Sequence, residues 1–425
     1  MTITALRGTT DLLPGDVERW QAAETAARAV CALYGYREIR TPLIEEASLF
    51  IRSVGEMTDI VQKEMYLFTD RGGRQIALRP EATASVARAY LEHHLDQEGL
   101  VRLYYLGPMF RAERPQAGRL RQFHQIGVEA IGAASPWLDA EVIALARHLL
   151  QALGVSKMQV WLGSLGCLDD KQRTAERLRQ DLQSKLKQLC DDCQSRYQRN
   201  VFRILDCKVE RCREIAWAGR TARDLFSLCD DCRTYHDQLT TALQRLGIAF
   251  DDRRPFIRGL DYYTRTVFEF TAEGLGAQDA VGAGGRYDRL IADLGGPSVG
   301  AVGLAIGLER VLLASATASP APSADARHGV FIATLSDAAQ LAGAELATKL
   351  RAQRVATVMD YAGKSLKGQL RTADKWRCRY AAILGEQELA SGTVTCRDLE
   401  TSEQSQMPLE QLVTAMAERV GAAAC

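Results

Sequence analysis

Three glycine- and arginine-punctuated blocks constrain this chain more than any other feature. In Arg258-Gly-Leu-Asp-Tyr-Tyr-Thr-Arg-Thr-Val-Phe-Glu-Phe270 the pattern alternates from Tyr263 onward. Tyr263, Arg265, Val267 and Glu269 fall on one face, and Thr264, Thr266, Phe268 and Phe270 on the other. Strict period two with β-branched and aromatic residues predicts a strand. Gly259 just before it marks a special backbone angle or a close backbone approach. Val281-Gly-Ala-Gly-Gly-Arg-Tyr-Asp-Arg289 and Gly300-Ala-Val-Gly-Leu-Ala-Ile-Gly-Leu-Glu-Arg310 follow. Together the three blocks read as the floor of a ligand site.

A chain of 425 residues with 47% hydrophobic composition has material for two or three domains of ~150 residues each. The formal net charge is +0, so no global field draws it to nucleic acid, and any RNA contact needs a local patch. No stretch approaches the ~18 consecutive apolar residues of a membrane span, and Met1–Gly8 lacks the apolar core of a signal peptide. A soluble, cytoplasmic protein without membrane contact is expected. Eleven cysteines is an odd count over a large chain, which argues against a disulfide framework.

Asp16 is placed to cap a helix whose apolar stripe is Trp20, Ala23, Ala27, Val30 and Tyr34, with Gly35 as its stop. Tyr36–Pro42 reads as a short strand. Residues 76–88 read as a strand running into a helix start, where a carboxylate at Glu81 suits the helix dipole. Residues 102–113 form a strand, 114–120 a loop and 121–129 the returning strand. Period two puts Gln125, Gly127 and Glu129 on one face, with Gly127 leaving space as if a ligand lay against the sheet. His124 falls on the Ile126/Val128 face, as a packed histidine. Arg111 and Glu113 share a face, and five arginines against one acid from 102 to 121 make a patch apt for phosphate.

From Trp137 a helix carries the stripe Val142, Ala146, Leu149, Leu150 and Leu153. Residues 167 to about 252 change to charged helical runs with clustered cysteines. Two Cys-x-x-Cys pairs, Cys190/Cys193 and Cys229/Cys232, fit a structural zinc site; thiols on helix faces between Asp-Asp spacers are the alternative. Ser315–Asp325 is a low-complexity linker. The expected division is residues 1–325, with the insertion at about 167–252 and a linker at 315–328, followed by 329–425. In the last part strands at Val330, Val355–Met359 and Tyr380–Leu384 alternate with helices from Asp337 to Arg354, capped by Ser336, and from Leu366 to Asp374. This predicts a small α/β domain with a largely buried sheet. Between Lys364 and Arg379 stand six basic residues and one acid.

The phrases Arg258-Gly-Leu-Asp-Tyr-Tyr and Ala283-Gly-Gly-Arg-Tyr-Asp288 resemble the two histidine-specific motifs of histidyl-tRNA synthetases. The helix and strand ending at Pro42, the Phe110-Arg-Ala-Glu113 hairpin and Gly303–Arg310 are similar to class II motifs 1, 2 and 3. The resemblance implies an α+β class II synthetase catalytic core (antiparallel sheet with flanking helices), a helical insertion and a C-terminal α/β anticodon-binding domain. It implies ligation of L-histidine to tRNA(His) through histidyl-adenylate, using ATP with Mg2+ and releasing AMP and pyrophosphate, by a homodimer. By resemblance Arg111 and Arg258 are catalytic and flank the α-phosphate. Glu113 and Arg310 hold the nucleotide, and Arg114 and Gln116 lie at the tRNA acceptor end. Glu81, Thr83 and Gln125 take the substrate's amino group, Glu129 and Tyr263 its imidazole, and Ala82, Tyr262 and Tyr287 complete the histidine pocket. The chain departs from the family at Arg289, usually glycine, and at Gly163, usually asparagine. The alternative is an inactive paralogue serving as regulatory subunit of ATP phosphoribosyltransferase. That paralogue lacks the C-terminal domain and has lost catalytic residues, whereas residues 330–425, Arg111, Gln125 and Arg258 are all present here.

Overall fold

The computed structural model describes residues 2–420 apart from 57, 117, 254–259, 276–278 and 317–326. Arg258, Gly259 and most of the expected linker therefore lie outside the described residues. The chain divides into two units, Met1–Pro320 and Ala321–Cys425.

The first unit is built on a seven-stranded sheet. Its order is Arg37–Glu38, Val101–Phe110, Gln122–Ile131, Ala301–Gly307, Ala280–Arg286, Thr264–Ala272 and Met158–Ser164. The first pair is parallel and the other pairs are antiparallel. Alternation along each strand sorts side chains between two environments. On one face Ile126, Val128, Phe268, Phe270 and Leu304 pack with Ala27 and Val30 of the helix Asp16–Leu33 and with Val142, Ala146 and Leu149 of the helix Pro136–Ala152. On the opposite face the same strands expose Gln125, Glu129 and Glu269 to a cleft. A three-stranded sheet of Ile44–Glu46, Gln75–Leu78 and Leu67–Thr69 feeds the helix Thr83–Glu92.

Two local expectations need correction. Asp16 is the first helical residue rather than the cap, and the Gly15 amide donates to the Glu18 carboxylate at 2.5 Å. The alternation from Tyr263 breaks at Arg265, which adopts φ +46° where the pairing register shifts between Thr264 and Val267. The cause is a second partner: the Arg265 amide donates to the Gly166 carbonyl at 2.8 Å, and the Leu165 amide donates to the Arg265 carbonyl at 2.7 Å. This bulge takes the guanidinium off the Tyr263 face and sets it 4.8 Å over the Tyr235 ring.

Residues 167–252 form a run of helices, of which Leu168–Gln183 is the first and Asp230–Arg245 the last. The second unit has a five-stranded sheet in the order Thr357–Met359, Val330–Thr334, Tyr380–Leu384, Thr393–Asp398, Gln404–Pro408. The first three strands are parallel, and the expected Ser336 cap is present, its hydroxyl accepting from the Ala339 amide at 3.2 Å. The last two strands are antiparallel. Gln404–Pro408 is a largely exposed edge, so the sheet is mixed and less buried than the sequence pattern suggested.

Candidate active site

The cleft is shaped by what glycine omits. Glu129 pairs across the sheet with Gly303, where a Cβ would stand 1.8 Å from the Glu129 carboxylate. Only a residue without a side chain lets that carboxylate lie over the neighbouring strand. Gly127 pairs with Tyr105, and a Cβ there would stand 2.2 Å from the Tyr105 ring. The space expected for a ligand above Gly127 is therefore taken by Tyr105, a residue that pattern reading passed over.

Glu129 is 1% exposed. The Thr83 hydroxyl donates to its Oε1 at 2.7 Å, and the Tyr287 hydroxyl donates to its Oε2. Burial nevertheless pushes its carboxyl up to about 8, because removing a carboxylate from water disfavours the charged form more than two hydroxyl donors favour it. Glu81, also buried, accepts the Thr83 and Ala84 amides, both at 2.9 Å. These are first-turn amides of the helix Thr83–Glu92, which lack intrahelical partners. Burial holds the Glu81 carboxyl above its ordinary range. Thr83 thus joins the two acids, its amide to Glu81 and its hydroxyl to Glu129. Ala82, fully buried, occupies the helix cap.

Tyr262, Tyr263 and Tyr287 wall this end with edge-to-face rings, 4.8 Å between the centroids of Tyr262 and Tyr263 and 5.7 Å between those of Tyr262 and Tyr287. Gln125 Oε1 is buried and finds no partner among the described residues. A buried acceptor left unmatched in this way costs free energy unless a ligand supplies a donor.

The open end is cationic. Arg111 Nε donates to the Pro80 carbonyl at 2.9 Å, and its guanidinium lies 5.2 Å over the Phe123 ring. Arg119 pairs with Glu113 at 3.1 Å. Burial, with neighbouring Arg119, lowers the pKa of Arg310, a cation positioned to gain from a bound anion. The cavity spanning both ends measures about 300 Å³, small-molecule scale.

Ten of the residues singled out from sequence line this one cavity: Glu81, Thr83, Arg111, Glu113, Gln125, Glu129, Tyr262, Tyr263, Tyr287 and Arg310. Gln116 lies on an adjoining groove with Leu12, Trp20 and Leu313, and Arg114 is exposed on the same loop. His124 is packed as expected. Its Nδ1 lies 3.0 Å from the Glu309 carboxylate and its ring meets Trp20 edge-on at 4.9 Å.

Pattern reading missed the anchor beneath the site. Arg286, fully buried, donates to the Asp139 carboxylate through Nε at 3.1 Å and through its terminal nitrogen at 2.5 Å. It also reaches Asp288 at 2.8 Å and the carbonyls of Ala133 and Ser135. Thr266 and Tyr235 donate to Asp139 at 2.6 and 3.1 Å. One carboxylate thereby ties the helix Pro136–Ala152 to two sheet strands and to the helix Asp230–Arg245. The only sequence signal was an arginine inside a glycine-rich block.

The four-cysteine set Cys190, Cys193, Cys229 and Cys232 is not one cluster. Cys190 and Cys193 gather with Cys207 and Cys212, whereas Cys229 and Cys232 gather with Cys167 and Asp170. The two Cys-x-x-Cys turns start different helices, Asp191–Arg199 and Asp230–Arg245.

The chain matches the family model for histidyl-tRNA synthetase over residues 8–311 and that for an anticodon binding domain over 329–419. It is 46% identical over 416 residues to a histidine--tRNA ligase of Desulforamulus reducens, covering 97% of this chain and 98% of that protein. To the histidine--tRNA ligase of Moorella thermoacetica it is 48% identical over 408 residues, 96% of each. The crystal structure of apo Staphylococcus aureus histidyl-tRNA synthetase superposes with a TM-score of 0.79 at 33% identity, covering 98% of this chain and 100% of that one. A Bacillus halodurans protein described as an ATP phosphoribosyltransferase regulatory subunit/histidyl-tRNA synthetase shares the fold at a TM-score of 0.64 and 22% identity.

Proposed function

The chain belongs to the histidyl-tRNA synthetase family and ligates histidine to tRNA, and from that premise we propose how the cleft divides the reaction. Its closed end takes histidine. An imidazole offers one donor and one acceptor, which a buried carboxyl and a phenol match; Glu129 and Tyr263 supply them. Glu81, Thr83 and Gln125 take the ammonium group, for which the unmatched Gln125 Oε1 is the observation that carries this assignment.

The open end takes ATP as its Mg2+ complex. Glu113 and Glu269 are carboxylates on that side of the cavity, oxygen donors of the kind Mg2+ accepts. Histidine's carboxylate oxygen bonds to the α-phosphorus as the bond to pyrophosphate breaks. Positioning and charge neutralisation govern such a step more than proton transfer does, and Arg111 and Arg310 provide them. Arg258 is the second catalytic arginine by family likeness alone. The terminal ribose hydroxyl of tRNA(His) then attacks the acyl carbon and AMP departs.

Homodimerisation through the helix Asp16–Leu33 and its following strand belongs to the same proposal, as does a cytoplasmic location, supported by ten free cysteines among the described residues. Among the described residues no helix is long and apolar enough to cross a membrane. The regulatory-subunit alternative has less support, because the full-length relatives are ligases and the polar pocket is intact.

The exposed motif 2 loop should face the acceptor end. Arg114→Ala or Gln116→Ala is expected to slow tRNA charging by roughly tenfold, about one lost polar contact, while sparing histidine-dependent ATP–pyrophosphate exchange. Equal loss in both assays would remove the loop from tRNA recognition.

Histidine affinity should also depend on pH in a defined way. With Glu129 at about 8 and free imidazole at ~6.5, the separated partners carry one proton between those values, the number the bound pair shares. Affinity is therefore flat across that window. Above it Glu129 is ionised, binding takes up a proton, and affinity falls by about tenfold per pH unit. Below it both partners are protonated, binding releases a proton, and affinity falls again. Titration calorimetry across pH reads both limbs. The substrate's own ammonium group also loses its proton above pH ~8, so Glu129→Gln should make the upper limb shallower without removing it. An affinity that climbs above pH 8 would contradict the assignment.

A further inference from the structure

We propose that the helical insert carries two structural zinc ions, one held by Cys190, Cys193, Cys207 and Cys212 and the other by Cys167, Asp170, Cys229 and Cys232. The inference is independent of the division of labour in the cleft. In each set the four ligand atoms lie within 4.8 Å of one another. Thiolates ~2.3 Å from a tetrahedral zinc ion stand ~3.8 Å apart along the tetrahedron's edges, and Cys190 and Cys207 Sγ are 3.8 Å apart. A disulfide would need ~2.05 Å, and all seven cysteines are free.

The backbone supports the same reading. The Cys190 amide donates to Cys212 Sγ at 3.3 Å, and the Val209 amide donates to Cys207 Sγ at 3.4 Å. Amide donors of this kind stabilise thiolate charge around a metal. The second set uses two helix starts in the same way. Cys167 caps the helix Leu168–Gln183 with Asp170 in its first turn, and Cys229 caps Asp230–Arg245 with Cys232 in its first turn. Two helix N-termini thus converge on one anionic cluster. Asp170, fully buried, accepts the Cys229 amide at 3.0 Å and the Cys167 amide at 3.2 Å, and Arg173 pairs with it. Oδ1 takes both the Cys229 amide and Arg173, while Oδ2 takes the Cys167 amide and retains a lone pair for a metal.

The insert needs such staples. Between the two clusters its helices are short: nine residues in Asp191–Arg199, four in Phe202–Leu205 and eight in Glu210–Trp217. Helices below ~12 residues are marginal unless something outside them holds them, and small modules with thin cores recruit metals for that purpose. The Cys/Asp set joins the first and last helices of the insert, closing it at its base. The four-cysteine set fastens the short helices inside. Buried cysteine as a small apolar filler explains one or two such residues, but not sulfurs facing each other at a coordination distance.

The test is metal analysis of the full-length protein, purified under reducing conditions without chelator. Two zinc ions per chain are expected, with one lost in Cys207→Ser, one in Cys229→Ser and both in the double variant. Cobalt substitution gives the absorption of tetrahedral thiolate sites, and the band positions should separate the all-sulfur site from the mixed one. If the variants do not fold, thiol titration of the wild type decides: a zinc chelator should release the seven clustered thiols together. Metal-free protein, or thiols indifferent to chelator, would overturn the proposal; one ion lost only in Cys207→Ser would overturn the second site.

Discussion

Glu129→Ala is expected to reduce kcat/KM for histidine in ATP–pyrophosphate exchange by ~10⁴-fold, the scale on which a site built to hydrogen-bond a substrate group discriminates when one partner is missing. The loss has two sources. The imidazole loses a desolvated, charge-assisted partner, and Thr83 and Tyr287, which donate to that carboxyl, are left with buried hydroxyls unmatched. The affinity for ATP should change little, because the arginines of the open end do not touch Glu129. Steady-state exchange with each substrate varied in turn separates the two effects. A variant with unchanged histidine KM and kcat would show that the imidazole lies elsewhere.

Asp139→Asn should cost ~3 kcal/mol or more in stability of the first unit, because it leaves buried Arg286 with weakened compensation. The substitution keeps the shape and removes the charge, so packing loss cannot account for the result. Since Asp139 also accepts from Tyr235, the helix Asp230–Arg245 should loosen, read as faster amide exchange there than in the sheet. Chemical denaturation followed by a probe in the first unit measures the loss. A cost below ~1 kcal/mol would mean that Asp288 alone, 2.8 Å from Arg286, neutralises the guanidinium. Tyr287 follows Arg286 directly, so this variant should weaken histidine use as well.

Much of the site was legible because strands have a period of two. Gln125 and Glu129 reach the cleft while Ile126 and Val128 reach the core, as their alternation requires. Glycines at 127 and 303 were visible, but what fills the room they leave depends on the strand alongside. Tyr105 over Gly127 and Glu129 over Gly303 are contacts between strands, which a single strand's pattern does not contain. Arg265 defeated the alternation because a non-glycine residue took a positive φ to satisfy the loop at Gly166. The cysteine sets failed for a related reason. Spacing marks which residues form a local turn, yet Cys167 and Cys229 meet through tertiary folding across the whole insert, and a shared Cys-x-x-Cys spelling does not make two turns partners. In the second unit the alternating strands and helices were readable, whereas the antiparallel edge at Gln404–Pro408 carries mostly polar residues and gave no apolar signal.

The most direct test of the account is amino-acid-dependent ATP–pyrophosphate exchange by the purified full-length protein, histidine against the other amino acids. Exchange with histidine alone is the expected result, since the proposed division of the cleft matches the imidazole with the Glu129 carboxyl and the Tyr263 phenol, and the ammonium group with the unmatched Gln125 Oε1. Absence of exchange from folded protein that still binds histidine would contradict it, and would make the regulatory paralogue the better description of this chain.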